Sequence, residues 1–184
     1  QGMKITGIDI DTVPVNHRVS WTFVHVKTDE DIHGLGEPNP SGLGRGCAAI
    51  LQQMADALKG KDPRNIEQLV HSLNPTSLDY AGVLALSAID QALWDILGKS
   101  LNVPLHTILG GRCRDEIHVY ANINRATTDR TPEGFARNAA AAVADGFDAI
   151  KLAPFDGMQR GIDNAGDAEP GLACMRTVRD AIGP

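Results

Sequence analysis

The stretch 88-AIDQALWDILGKSLNVPLHTILGG-111 governs how the rest of the chain is read. Ile89, Leu93, Ile96 and Leu97 recur at helical spacing and make one apolar stripe. Ala85, Ala88 and Ala92 are small enough to let another backbone approach closely. The pattern predicts an amphipathic helix that buries most of its girth. Asp95 precedes Lys99 by four residues, a spacing that supports the exposed side of the last turn. Pro104 then ends one helix and opens a short second one, which Gly110-Gly111 closes.

Ahead of this stretch the pattern has the period of strands. Lys4 to Val13 carries Ile5, Ile8 and Ile10 in imperfect alternation. Ser20 to Thr28 alternates better, with Trp21, Phe23, His25 and Lys27 on one side and Thr22, Val24 and Val26 on the other. Asp29-Glu30-Asp31 reads as a turn and Ile32 to Glu37 as a third strand containing Gly34 and Gly36. A three-stranded antiparallel meander is expected. Residues 14–19, with His17 and Arg18, and residues 38–46, with Asn39 and Arg45, have the composition of loops. Loops carry recognition more often than cores do. A helix with Cys47, Ile50, Leu51, Met54 and Leu58 on one stripe follows and ends at Gly60. A second is expected to be capped by Asp62, with Pro63 at its first position and Ile66, Leu69, Val70 and Leu73 on its stripe. The long helix starts near Asp79. Sheet followed by helices is an α+β arrangement, and it accounts for the chain to about Gly111.

Beyond Gly111 the order changes. Ile117 to Asn124 reads as a strand, and Thr131-Pro132-Glu133 opens a helix that runs to Asp145 and stops at Gly146. Ala149 to Ala153 reads as another strand, residues 155–168 as a Gly/Asp-rich loop, and Glu169 to Ile182 as a helix. This β-α-β-α order implies parallel strands.

The chain has 184 residues, 42% of them apolar and 22% charged, which suits a globular protein with a sizeable core. A net charge of -6 argues against nucleic acid or an anionic membrane surface as the main partner. No apolar run is expected to span a membrane, and nothing before Met3 resembles a signal peptide. Gln1-Gly2 reads as the scar of a cleaved tag. The three cysteines, Cys47, Cys113 and Cys174, form no Cys-x-x-Cys pair, so neither a disulfide framework nor a zinc site is expected, and a reducing cytoplasm fits. Cys47 belongs to an apolar stripe and reads as core rather than nucleophile.

The string A-I-D-x-A-L-W-D-I-x-G-K, then P-L, then L-G-G, resembles the end of the N-terminal capping domain of the enolase superfamily, most closely its mandelate racemase and muconate-lactonizing branch. The resemblance runs from Met3 to the closing Val-Arg-Asp-Ala-Ile-Gly. It implies a capping domain over residues 3–112, a three-stranded meander plus helices. Residues 113–184 would then be the first two βα units of an incomplete (β/α)8 barrel, which needs about 250 residues to close. In such a barrel the site lies at the C-terminal ends of the strands, here Asn122, Asn124 and Arg125, then Lys151, Pro154, Phe155 and Asp156.

Lys151 is the candidate catalytic residue. A lysine inside an apolar strand end has its charged form disfavoured by desolvation, toward the working range of a base. The alternative is a structural role, in which Lys151 caps the strand or pairs with a nearby carboxylate such as Asp156. The resemblance aligns Lys151 with the first lysine of a Lys-x-Lys motif and puts Ala153 in place of the second, the proton-abstracting one. That implies one-base chemistry, a dehydratase ahead of a racemase, with Lys151 either the base or an electrostatic partner of the substrate carboxylate. The implied reaction is Mg2+-dependent abstraction of a proton α to the carboxylate of a hydroxy acid, sugar acid or related cyclic acid. The metal ligands are implied to lie beyond residue 184, none within this chain. Asp163, Asp167 and Glu169 read as solvated. His17, Arg18, Asn39 and Arg45 stand where cap loops of the family read the distal end of the substrate. The expected partners are a small carboxylate and either a second copy or a missing half of the barrel. The alternative is a truncated, non-catalytic, partner-dependent module.

Overall fold

The computed structural model describes residues 2–16, 19–38, 44–74, 78–158, 161 and 165–183, which fall into two units, Gln1–Cys113 and Arg114–Pro184. In the first, β1 (Ile5–Asn16), β2 (Val19–Thr28) and β3 (His33–Gly36) form an antiparallel sheet in the order β1-β2-β3. Val24 and Val26 are fully buried while Trp21 is 44% exposed, as the alternation in β2 requires. A register irregularity between Ile5 and Gly7 explains the imperfect pattern of β1. The extra residue shifts the phase, so Ile5, Ile8 and Ile10 all meet the core. On the outer face Lys27 pairs with Asp9, and His25 Nε2 lies 3.2 Å from Asp11 Oδ2.

The expected loop 14–19 is mostly strand. Pro14 pairs with Ser20 and Asn16 with Val19, because β1 is an edge strand and tolerates a proline without an N–H. The second expected loop is also shorter, since α1 (Gly44–Leu58) begins inside it. Cys47, Leu51, Met54 and Leu58 line the buried side of α1. The next helix, α2 (Ile66–Ser72), starts three residues later than Pro63. Asp62 Oδ1 accepts from the Arg64 backbone N at 3.0 Å and from Arg64 Nε at 2.9 Å, so Asp62 fastens the turn before the helix instead of capping it.

The 88–101 pattern lies in α3 (Tyr80–Leu101), capped by Asp79, whose Oδ1 accepts from Gly82 N at 2.8 Å. Asn102 ends it in the left-handed conformation, and α4 (Leu105–Ile108) follows Pro104. Contrary to expectation, α3 is long and apolar enough to cross a membrane on length and composition, with mean hydropathy 1.3 over its best window. Half of that window is buried within this unit, which is the position of a core helix.

The seam between α3 and β3 carries out what the small residues promise. A Cβ on Gly34 would stand 2.0 Å from Ala92 O, and one on Gly36 would stand 1.9 Å from Ala88 O. Only glycine lets the strand lie this close to the helix. The same contact satisfies the strand's outer edge. Leu35 N donates to Asp95 Oδ2 at 2.8 Å, and Lys99 Nζ donates to His33 O at 2.7 Å and to Asp95 Oδ2 at 2.6 Å. Glu37 N donates to Gln91 Oε1 at 3.0 Å. Gln91, Asp95 and Lys99, four residues apart, therefore occupy backbone groups that an edge strand would otherwise offer to another chain.

In the second unit, β4 (Ala121–Asn122) and β5 (Ile150–Lys151) pair in parallel, with α5 (Pro132–Ala144) between them and α6 (Glu169–Ile182) after them. The expected strand 117–124 forms a ladder only at Ala121–Asn122, since β5 is the only strand paired with it among the described residues. Ile117 and Val119 stand 76% and 58% exposed. Ile123, Phe135, Ala139, Ala142, Cys174 and Val178 make the core of this unit. Thr131 caps α5 by accepting from Gly134 N at 3.1 Å, and Gly146, at φ +94°, takes the chain out of it.

Candidate active site

The parallel pair sorts its side chains by period two. Ala121, Ile123, Ile150 and Leu152 join the core under α5 and α6. Tyr120, Asn122 and Lys151 alternate with them and are exposed. Asn122 stands opposite Lys151 in the register. The Lys151 ammonium sits 5.7 Å from the centroid of the Tyr120 ring, a cation–π distance. Because Lys151 is exposed, the burial behind the desolvation expectation is not found in this chain. Asp156, the neighbour named as a partner in the structural alternative, pairs with Arg130.

Arg130 is the residue the sequence reading missed. Its side chain is 22% exposed, and its guanidinium lies 4.6 Å from the centroid of the Phe135 ring. Nη1 donates to Asn124 O at 2.6 Å, while Nη2 donates to Asn124 Oδ1 at 3.0 Å and to Ala153 O at 2.8 Å. Asn124 Oδ1 also accepts from Ala153 N at 3.2 Å. Side chains thus continue the β4–β5 pairing two residues past the last ladder partners. Phe155 packs over α6 where a Cβ on Gly171 would come within 2.2 Å of its ring. Asn122 Oδ1 accepts from Asn124 N at 3.3 Å, and Arg125 is exposed. Nothing in the composition of 124-NRATTDR-130 distinguishes Arg130 from Arg125; only the placement of two strand ends does.

His17, Arg18 and Asn39 lie outside the described residues, as does Asp163. Arg45 is in the first turn of α1. Glu169 is exposed to solvent and pairs with Arg176. Among the described residues no three His, Cys, Asp or Glu side chains converge as metal ligands. Burial pushes the Cys47 and Cys174 thiols up, away from the thiolate a nucleophile needs. The Arg137 guanidinium, helped by the Thr131 hydroxyl, holds the Asp129 carboxyl below its usual range at the start of α5.

A meander roofed by a long glycine-seamed helix, followed by βα units with a lysine at a strand end, defines an α+β cap joined to a parallel α/β segment. Residues 8–110 match the family described as "Mandelate racemase / muconate lactonizing enzyme, N-terminal domain", and the chain belongs to that family within the enolase superfamily. It is similar to the D-galactonate dehydratase of Variovorax paradoxus, 35% identical over 185 residues, covering 98% of this chain and 46% of that protein. The D-galactonate dehydratase of Pectobacterium atrosepticum is 36% identical over 184 residues with the same coverage. A solved enolase-superfamily member from Salmonella Typhimurium superposes with a TM-score of 0.85 at 31% identity, over 99% of this chain and 52% of that one. The chain spans about half the length of the curated relatives it matches.

Proposed function

We propose that the protein carrying this sequence is an acid-sugar dehydratase, with D-galactonate the first substrate to assay. The observation that carries the reading is the 35–36% identity to D-galactonate dehydratases across 98% of this chain. Ala153, two residues past Lys151, agrees with it, because a racemase needs a base on each face of the carbanion. In the reaction the C2 proton and the C3 hydroxyl leave as water, and the resulting enol becomes a 2-keto-3-deoxy acid.

Lys151 is assigned to the substrate carboxylate. An exposed ammonium beside Asn122 suits an anion, and it opposes the negative charge that builds on the carboxylate as the C2 proton leaves. Ala153 stands where the resemblance puts the proton-abstracting lysine, so the proton is assigned to a group other than Lys151. Mg2+ is the cofactor proposed, and bound it supplies Lewis-acid stabilisation of that same charge. The described residues do not form the oxygen cage it takes. His17, Arg18, Asn39 and Arg45 are proposed to read the distal hydroxyls. The segment 113–184 is proposed to begin a (β/α)8 barrel. Self-association and a cytoplasmic location are proposed too, the latter because Cys47, Cys113 and Cys174 are free thiols.

The test is keto-acid formation from D-galactonate by the full-length protein and by Lys151→Ala. A loss of about 100-fold in kcat/KM on removing the charge partner is expected. Undiminished turnover in Lys151→Ala would remove Lys151 from the site, and no turnover of any aldonate by the unaltered protein would remove the dehydratase reading.

A further inference from the structure

We propose that Arg130 is a positioning residue for Lys151. Its guanidinium binds the C-terminal ends of β4 and β5 together and holds Asp156, so that the Lys151 ammonium stays available to an anionic substrate. The role of Lys151 rests on the dehydratase reading; the geometry of the clamp does not.

Two facts bring Arg130 forward. The β4–β5 ladder ends at Asn122 and Lys151, yet Ala153 is fastened on both of its backbone groups. Its N–H goes to Asn124 Oδ1 and its carbonyl takes a hydrogen bond from Arg130 Nη2. A planar guanidinium can serve Asn124, Ala153 and Asp156 at once while stacked on Phe135; a lysine there could not. The second fact is charge. Asp156 is the carboxylate five residues after Lys151, on the segment leaving β5. Paired with Arg130 it is neutralised. Freed, it would be a competing anion for the Lys151 ammonium. A carboxylate close to a lysine favours the ammonium form and makes the amine a poorer nucleophile.

The experiment is a double-mutant cycle in the full-length protein, using Arg130→Gln, Asp156→Asn and both together, with Arg130→Lys as a second substitution of the arginine. The first readout is the rate at which limiting acetic anhydride acylates Lys151, followed by peptide mass spectrometry. It needs no turnover. Arg130→Gln is expected to slow acylation roughly threefold, Asp156→Asn alone to leave it unchanged, and the double variant to restore it. Arg130→Lys keeps the charge but loses the fork, and is expected to fall between the unaltered protein and Arg130→Gln. Should Arg130→Gln not fold, Arg130→Lys with and without Asp156→Asn carries the same cycle. The second readout is kinetic. KM for the aldonate is expected to rise about tenfold in Arg130→Gln, with kcat changed much less, and to recover in the double variant. Acylation insensitive to Arg130, or a loss that Asp156→Asn does not relieve, would overturn the proposal. If the protein turns over no aldonate but the acylation cycle behaves as expected, the clamp stands and the dehydratase reading falls.

Discussion

Replacing Gly34 by alanine tests the seam that organises the first unit. The new Cβ would lie 2.0 Å from Ala92 O and 2.9 Å from Ile96 Cγ1. Both neighbours are fully buried, so neither can swing aside. Relief to ordinary contact requires the strand and helix to part by about 1 Å or more, and overpacking of this kind costs about 1–3 kcal/mol. The same parting stretches the 2.8 Å bond from Leu35 N to Asp95 and the 2.7 Å bond from Lys99 to His33 O. The Lys99–Asp95 pair is 49% and 31% exposed, so these bonds are discounted to about 0.5 kcal/mol each. A loss of about 3 kcal/mol is expected, a large share of the 5–15 kcal/mol typical of a domain. Urea denaturation followed by tryptophan fluorescence reads it directly, because the only two tryptophans, Trp21 and Trp94, both lie in this unit. Gly7→Ala is the matched control, since a Cβ there meets nothing within 4 Å. It should change stability by less than about 0.5 kcal/mol. A Gly34→Ala protein as stable as Gly7→Ala would refute the close-approach argument.

Asp79→Ala removes the cap of α3 and should cost about 1 kcal/mol in the same denaturation assay. The Arg64 side chain beside Asp62 holds that carboxyl below its usual range. Its contribution to stability is therefore complete above the unfolded carboxylate value of about 3.9 and is lost as pH falls through the lower folded value. Asp62→Asn should flatten the acid limb of the stability curve and leave the neutral region parallel to that of the unaltered protein. Asp90 is the opposite case, pushed up by burial and partly restrained by a hydrogen bond from Trp94. The ionised form costs stability above its folded pKa, so Asp90→Asn should raise the urea midpoint at neutral pH and lose that advantage in acid, where Asp90 is protonated.

The meander, the long helix and the βα order could be read from the sequence because each rests on periodicity plus small residues. Ala88 and Ala92 announced a close neighbour, and Gly34 and Gly36 are that neighbour. The errors fall where a tertiary partner decides. Residues 117–120 have strand composition, but a ladder needs hydrogen-bonding partners, and β5 supplies them only to Ala121–Asn122 and their immediate neighbours. Asp62-Pro63 has the chemistry of a helix start, yet Arg64 turns Asp62 into a turn clasp and the helix waits until Ile66. At the candidate site, Lys151 stood out as a charge within an apolar run. Arg130 lay in a polar loop among other charged and polar residues, and its role exists only once Asn124, Ala153 and Asp156 are brought within reach of one guanidinium.

Turnover is the most direct test of the functional reading. The full-length protein, supplied with Mg2+ and a panel of aldonates that includes D-galactonate, should convert at least one of them to a keto acid lighter by one water, as read by mass spectrometry. It should do so without first racemising C2 of the remaining substrate. Racemised or unchanged acid across the whole panel would contradict a one-base dehydratase built on Lys151 and Ala153.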